Sequence, residues 1–443
     1  MIDRPAAWVA RAAGGRLVSG DAYGHGPRRA VVDSREVADG DLFVGIPGAR
    51  ADGGEFAPAA LEAGAWGVLA TPARADAAAT RTDRPVIAAP DPRAALGHLA
   101  RAWRREIGCP VVGVTGSTGK TSTKDILAAL LRPHLPRTVA NRENLNTEIG
   151  LPLTVLGAGR DTDAMVLEMA MRGAGQIAEL TQIADPDVGV VVNVGPVHLE
   201  LLGTVEGVAA AKAELIRDLR PGAACVVPAN ERLLAPHLRR DLDTLRFGDG
   251  GDVRLASFRD GVARIDARGT RIELELPYSE PHNVQNTVAA VAAATALGVV
   301  PSGRLDVRFS SLRGEVLELG GGVTVVNDCY NANPMSMRAA LDHLAESPAR
   351  RRIAILGTMA ELGPEGERYH REIGSHAAEV GVDVLVTVGE PAVPFASGFD
   401  GATYAVATPE EAGELLEELA QPGDRVLVKG SRSAGLERVV GAA

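Results

Sequence analysis

Lysine is nearly missing from this sequence. Lys120, Lys124, Lys212 and Lys429 are the only four among 46 basic residues, and the rest are arginine. Asparagine is also scarce, with ten residues, all between Asn141 and Asn333. Three widely spaced cysteines (Cys109, Cys225 and Cys329) exclude both a disulfide framework and a Cys-x-x-Cys metal site. A basic excess is lacking too: the net charge is −11, which argues against a broad phosphate-backbone footprint and predicts no nucleic-acid partner. No apolar run approaches the ~18 residues of a membrane span. The opening Met-Ile-Asp-Arg-Pro has no signal-like apolar stretch, so a cytoplasmic protein is expected.

What is present is an ordinary globular balance, 46% hydrophobic and 23% charged over 443 residues. At roughly 100–200 residues per domain, that length suggests two to four domains. Residues 1–88 read as short strands with one helix near Phe56–Ala63, followed by a linking helix at Asp91–Arg105. From Cys109 onward, short apolar runs (Pro110–Thr115, Ala164–Glu168, Val188–Val194, Ala223–Pro228) alternate with amphipathic stretches, the pattern of a parallel α/β sheet. A strand-like meander over Val253–Leu276 precedes a helix at Asn283–Leu297. A second α/β series follows, with strands at Val323–Asn327, Arg352–Leu356, Val382–Val388 and Arg425–Lys429. The predicted α/β architecture has three domains: a small mixed α/β unit (1–88), a central P-loop-type parallel-sheet unit (89–312) and a Rossmann-like unit (313–443).

Chemistry concentrates where strands end. The run Val111–Thr115 leads into Gly116, Ser117, Thr118, Gly119, Lys120, Thr121 and Ser122, and a helix follows. Backbone N–H groups at such a turn, with the helix N-terminus, cradle phosphates. Lys120 would reach the terminal phosphate oxygens and the Thr121 hydroxyl would serve Mg²⁺. Val114 stands where the longer Walker pattern has glycine. Glu168 closes the next strand and His198 follows the one after it, both on the rim where parallel sheets bind ligands. Carboxylate oxygens there suit Mg²⁺.

Lys212 sits among small residues in Ala209–Leu215. Because the chain otherwise uses arginine, a lysine here marks a place arginine cannot fill. Buried among such neighbours, its amine loses its proton easily and can be carbamylated by CO₂, which turns a cation into a carboxylate-like metal ligand. Asn283 and Asn286 open the helix after the meander. Asn331 and Asn333 follow the strand ending near Asp328, and three of the ten asparagines fall between 327 and 333.

Assembled, these residues resemble the Mur ligase family, the ATP-dependent amide-forming enzymes of peptidoglycan precursor synthesis, over essentially the whole length. The resembling segments include Asp33-Ser-Arg, Gly116–Thr123, Asn146-Thr-Glu-Ile-Gly, Ala209–Leu215, His282–Asn286, Tyr330-Asn-Ala-Asn-Pro, Leu356-Gly-Thr-Met-Ala-Glu-Leu-Gly and Val428-Lys-Gly-Ser. The resemblance implies that Lys120 and Thr121 hold ATP phosphates and a first Mg²⁺. Glu168, His198 and carbamylated Lys212 would serve a second Mg²⁺. Asn283, Asn286, Arg313 and Asp328 would contact the nucleotide product, Ser34 and Arg35 the uridine end of the other substrate, and Asn146, Asn331 and Asn333 substrate.

It also implies UDP-MurNAc-tripeptide and D-alanyl-D-alanine as partners, and a monomer is expected. The sequence departs from the family pattern at Gly54, Ala170, Gln176, Thr358 and Cys329, none of them a phosphate or metal ligand. The alternatives are a related ligase joining a different carboxylate and amine, or a P-loop kinase or ATPase.

Overall fold

The computed structural model of the protein describes residues 2–142, 144–310 and 314–441. Three sheets organise the described residues. The first has five strands, in the order Arg16–Ser19, Val86–Ala88, Gly67–Ala70, Leu42–Val44 and Ala30–Val31. It is parallel except for its first pair. The second has ten strands. Its parallel half places Val111–Thr115 between Ala164–Glu168 and Val188–Val191. The antiparallel meander Val253–Glu275 extends the same sheet through Asp243–Phe247, so the meander read from the sequence within the central unit shares one core with the parallel strands. The third sheet has six strands, with Asp424–Lys429 between Val323–Asp328 and Arg351–Gly357. The Val111–Thr115 and Asp424–Lys429 strands thus mark two crevices at their carboxyl ends, where open α/β sheets bind ligands.

The first two sheets are joined by the helix Pro92–Ile107. Asp91 caps it, its carboxylate accepting from the backbone N–H of Arg93 (2.9 Å) and Ala94 (3.1 Å). Pro92 occupies the first turn, where no N–H is needed. Gly108 stops the helix at φ +72°. Ala95, Leu96, Leu99, Ala100 and Trp103 recur at helical spacing and are buried, forming the stripe that packs inward. Trp103 is fully enclosed and donates from Nε1 to the Ala158 carbonyl at 2.9 Å. Arg104 pairs with Asp187 at 2.7 Å across the same seam. Trp103→Ala should therefore cost about 3–5 kcal/mol, the range for emptying a large core site. Urea denaturation of the purified variant measures it.

Several elements escape the sequence reading. Helices Ala6–Ala12 and Pro72–Ala79 are short and alanine-rich, and carry too little contrast between faces to signal themselves. The strand Ala402–Val406 is an almost wholly exposed sheet edge, so it lacks the alternating burial that reveals a strand.

Candidate active site

The phosphate turn is built by a fully buried strand that stops abruptly. Val111–Thr115 is enclosed along its length, and the Thr115 hydroxyl donates to the Met169 carbonyl at 3.0 Å. The chain then turns through Gly119 at φ +72° into the helix Lys120–Leu131. Glycine is required there twice over: by the left-handed backbone, and because a Cβ would lie 2.5 Å from Asn286 Oδ1. The first N–H groups of the helix have no intrahelical acceptor, which leaves its N-terminus suited to anions. Lys120 Nζ donates to the Gly116 carbonyl at 2.9 Å, so its ammonium lies over the turn.

Asn193, which the sequence reading missed, braces this turn from just past the neighbouring strand Val188–Val191. Its Oδ1 accepts from the N–H groups of Ser117 (3.0 Å) and Thr118 (2.9 Å), and its Nδ2 donates to Thr118 Oγ1 at 2.9 Å. Two of the loop's N–H groups are therefore engaged within the protein, which leaves the later part of the turn and Lys120 to face an anion. Asn193→Ala should weaken nucleotide binding about tenfold, since each lost bond to a buried donor costs on the order of 1–3 kcal/mol and the loop relaxes in part. Calorimetric titration with ADP reads it.

Glu168 is held on all sides. One carboxylate oxygen accepts from the Thr121 hydroxyl at 2.7 Å, and the other from Asn146 Nδ2 at 2.9 Å. The Asn141 amide pairs with both backbone groups of Glu168, at 2.8 and 3.0 Å. Lys124, also buried, holds the Asn141 carbonyl at 2.8 Å. Thr121 and Glu168 thus present hard oxygen donors side by side, the chemistry Mg²⁺ prefers alongside phosphate and water. Spare lone pairs remain on the carboxylate. Among the described residues no three His, Cys, Asp or Glu side chains gather closely enough to hold a metal by themselves. A second cation would need a further oxygen ligand.

Lys212 is the group that could become one. It lies in the helix Val205–Asp218, is 2% exposed, and has no ion-pair partner among the described residues. Burial, and then the charge of Lys120, push its amine well below the ordinary lysine value. The shift has a physical reason: a cation in that position would be both desolvated and repelled. His198 is pushed down as well, by burial first. The adjacent Glu361 opposes that shift, while the charges of Lys120 and Lys212 add to it.

Three family models cover the chain: the Mur ligase family catalytic domain over residues 31–104, the Mur ligase middle domain over 114–294, and the Mur ligase glutamate ligase domain over 312–432. The chain belongs to the Mur ligase family. A UDP-N-acetylmuramoyl-tripeptide–D-alanyl-D-alanine ligase from Synechocystis is 36% identical over 427 residues, 92% of this chain and 90% of that protein. A crystal structure of MurF from Acinetobacter baumannii matches with a TM-score of 0.89 at 28% identity, covering 99% of this chain and 98% of its own. MurF from Thermotoga maritima, solved in complex with ADP, matches with a TM-score of 0.81 at 32% identity over 94% and 96% of the two chains.

Within this Mur ligase fold, the expected residues gather unevenly. Gly119 and Asn286 touch, as the close approach requires. Asn286 Nδ2 reaches Asn283 Oδ1 at 3.4 Å. Asp328 pairs with buried Lys429, which also donates to the Asn331 carbonyl at 3.1 Å. Asn333 caps the helix Pro334–Glu346, its Oδ1 accepting from the Ser336 N–H at 3.0 Å in a reciprocal capping box, so its buried side chain has a structural task. Ser34 and Arg35 lie on the first sheet's rim in a turn capped by Asp33. Arg35 holds the Asp33 carboxyl down to about 2. Arg313, expected at the nucleotide, and the interdomain boundary near Leu312 lie outside the described residues.

The third sheet's unit meets the central one at this site. Glu361 contacts His198 and lies 3.4 Å from Arg172. The Glu200 N–H donates to the Glu361 carbonyl at 3.2 Å. A Cβ on Gly195 would fall 1.9 Å from Met335 Sδ.

Proposed function

We propose that this Mur ligase joins the carboxylate of UDP-MurNAc-tripeptide to the amine of D-alanyl-D-alanine at the expense of ATP, through an acyl phosphate. The observation that carries the reading is the Thr121–Glu168 pair beside Lys120 at one phosphate turn, with buried Lys212 and His198 both within reach of the Lys120 charge. Two anions, a carboxylate and a triphosphate, must meet, so positive charge has to be supplied locally and held without reorganisation.

Lys120 sets its ammonium against the phosphoryl group in transfer. Thr121 and Glu168 would hold one Mg²⁺; Glu168, His198 and a carbamate on Lys212 would hold a second. Bound Mg²⁺ would supply charge that lets the carboxylate approach phosphorus and stabilises the departing diphosphate oxygens. Asn283, Asn286, Arg313 and Asp328 keep the nucleotide in register, while Ser34 and Arg35 hold the uridine end at a distance. Asn146 and Asn331 face the remaining substrate, and Asn333 shapes that rim through its cap.

The carboxylate oxygen attacks the γ-phosphorus and ADP leaves. The dipeptide amine then adds to the acyl carbon, gives up a proton, and expels phosphate. Closure of the C-terminal unit on the central one, through contacts such as those of Glu361 and Met335, would exclude water that would hydrolyse the acyl phosphate. The three working parts are taken as residues 1–88, 89–312 and 313–443, in a monomeric cytoplasmic enzyme. No helix among the described residues is long and apolar enough to cross a membrane.

Phosphate release from ATP tests the reading when each of the other two substrates is left out in turn. Release that needs both UDP-MurNAc-tripeptide and D-alanyl-D-alanine supports it. Release indifferent to the dipeptide favours a kinase or ATPase, and no release with this pair favours a ligase of another carboxylate and amine.

A further inference from the structure

Glu361 comes from the unit built on the third sheet, yet its carboxylate rests on the imidazole of His198 in the central unit. Both residues stand in the left-handed region, His198 at φ +53° and Glu361 at φ +63°. That conformation is costly for side chains other than glycine and persists only where the surroundings impose it. The surroundings here are mutual. The Glu361 carbonyl takes the N–H of Glu200, two residues past His198. Gly363 lies against the same segment, with Glu200 Cα 3.3 Å from where its Cβ would be. Arg172, largely exposed, faces the other carboxylate oxygen at 3.4 Å. The loop is thus docked by its backbone in a single register, and the register delivers the carboxylate to His198 Nδ1.

An ionised carboxylate only accepts, so Nδ1 must donate in this contact. In the neutral ring the proton then sits on Nδ1 and Nε2 keeps its lone pair. We propose that Glu361 is a positioning residue. Carried by the C-terminal unit, it fixes the orientation and tautomer of His198, and so couples docking of that unit to completion of the site. The inference rests on the proposed role of His198 and assigns Glu361 no contact with substrate. Outer partners of this kind typically change affinity or activity by about 10–100-fold when removed.

The test uses Glu361→Ala and Glu361→Gln, each alone and in a His198→Ala background. The full chain is assayed for phosphate release with both substrates. Glu361→Ala is expected to lower kcat about 10–100-fold and to raise the half-saturating Mg²⁺ concentration. KM for UDP-MurNAc-tripeptide should stay within about twofold, and Glu361→Gln, which keeps an acceptor oxygen, should recover part of the loss. In the His198→Ala background Glu361→Ala should change the residual rate less than about twofold, because its effect passes through the ring. Long-range ¹H–¹⁵N spectra of His198 should show one Nδ1-protonated tautomer in the wild type and a mixture in Glu361→Ala.

A kcat of Glu361→Ala within twofold of wild type overturns the proposal. So does an equal loss with and without His198, or an unchanged tautomer. Should the wild-type protein itself release no phosphate with this substrate pair, the reading of its activity fails, and the ring spectra still decide the role of Glu361.

Discussion

Lys212→Arg is expected to lose at least about a hundredfold in turnover, the upper end of what removing a partner of a metal site costs. Lys212→Ala should lose as much, but regain part of it when formate or acetate is added. Arginine keeps the charge and most of the volume, so a role as a solvated cation would survive the change. A guanidinium cannot give up its proton, and so cannot be carbamylated. It would also place a fixed cation in an enclosed site where Lys120 already disfavours one. Steady-state phosphate release across the three proteins, with and without the short carboxylates, measures the effect; full activity in Lys212→Arg contradicts the carbamate.

The sign of the pH dependence follows from the same burial. The folded-state pKa of Lys212 lies well below 10.5, so between the two values the unfolded chain binds more protons than the folded one. Stability therefore rises with pH through that window and is lost as pH falls toward the folded value. Carbamylation needs the neutral amine and fades in the same direction, so wild-type turnover should fall as the pH is lowered, whereas the carboxylate-rescued turnover of Lys212→Ala should lack that dependence.

Lys120→Ala is expected to cost about a thousandfold or more in turnover, because charge aimed at a transferring phosphoryl group is among the largest single contributions to such catalysis. It should also act at a distance. The charge of Lys120 lowers the proton affinity of both the Lys212 amine and the His198 ring, so removing it lets both bind protons more readily. The pH–rate profile of the residual activity should shift to higher pH as well as fall. Turnover within tenfold of wild type would remove Lys120 from the phosphoryl-transfer step.

Much of this site is readable from residue types alone. The strand–turn–helix around Gly116–Thr121 announces itself through local pattern. The strand Ala164–Glu168 does too, with Glu168 at its rim. Lysine scarcity proves a sharper guide than any motif: Lys124, Lys212 and Lys429 are buried, and Lys120 lies over the phosphate turn. Asparagine scarcity points the same way. It could have singled out Asn141 and Asn193, whose amides fix Glu168 and the loop.

What the sequence withholds is pairing over distance. Nothing near His198 in the chain names Glu361, 163 residues later. That contact depends on how two separately folded sheets dock. Asn333 carries two readings at once. Its neighbourhood suggests a ligand contact, and its Oδ1 caps the proline-led helix that follows.

The measurement that bears most directly on the account is the fate of the carboxylate oxygen. With UDP-MurNAc-tripeptide carrying ¹⁸O in its terminal carboxylate, each inorganic phosphate released during dipeptide-dependent turnover should carry one labelled oxygen, because the acyl phosphate takes that atom from the substrate. Phosphate emerging without label, while the peptide product still forms, would mean that the carboxylate is never phosphorylated and that the turn around Lys120 serves some other chemistry.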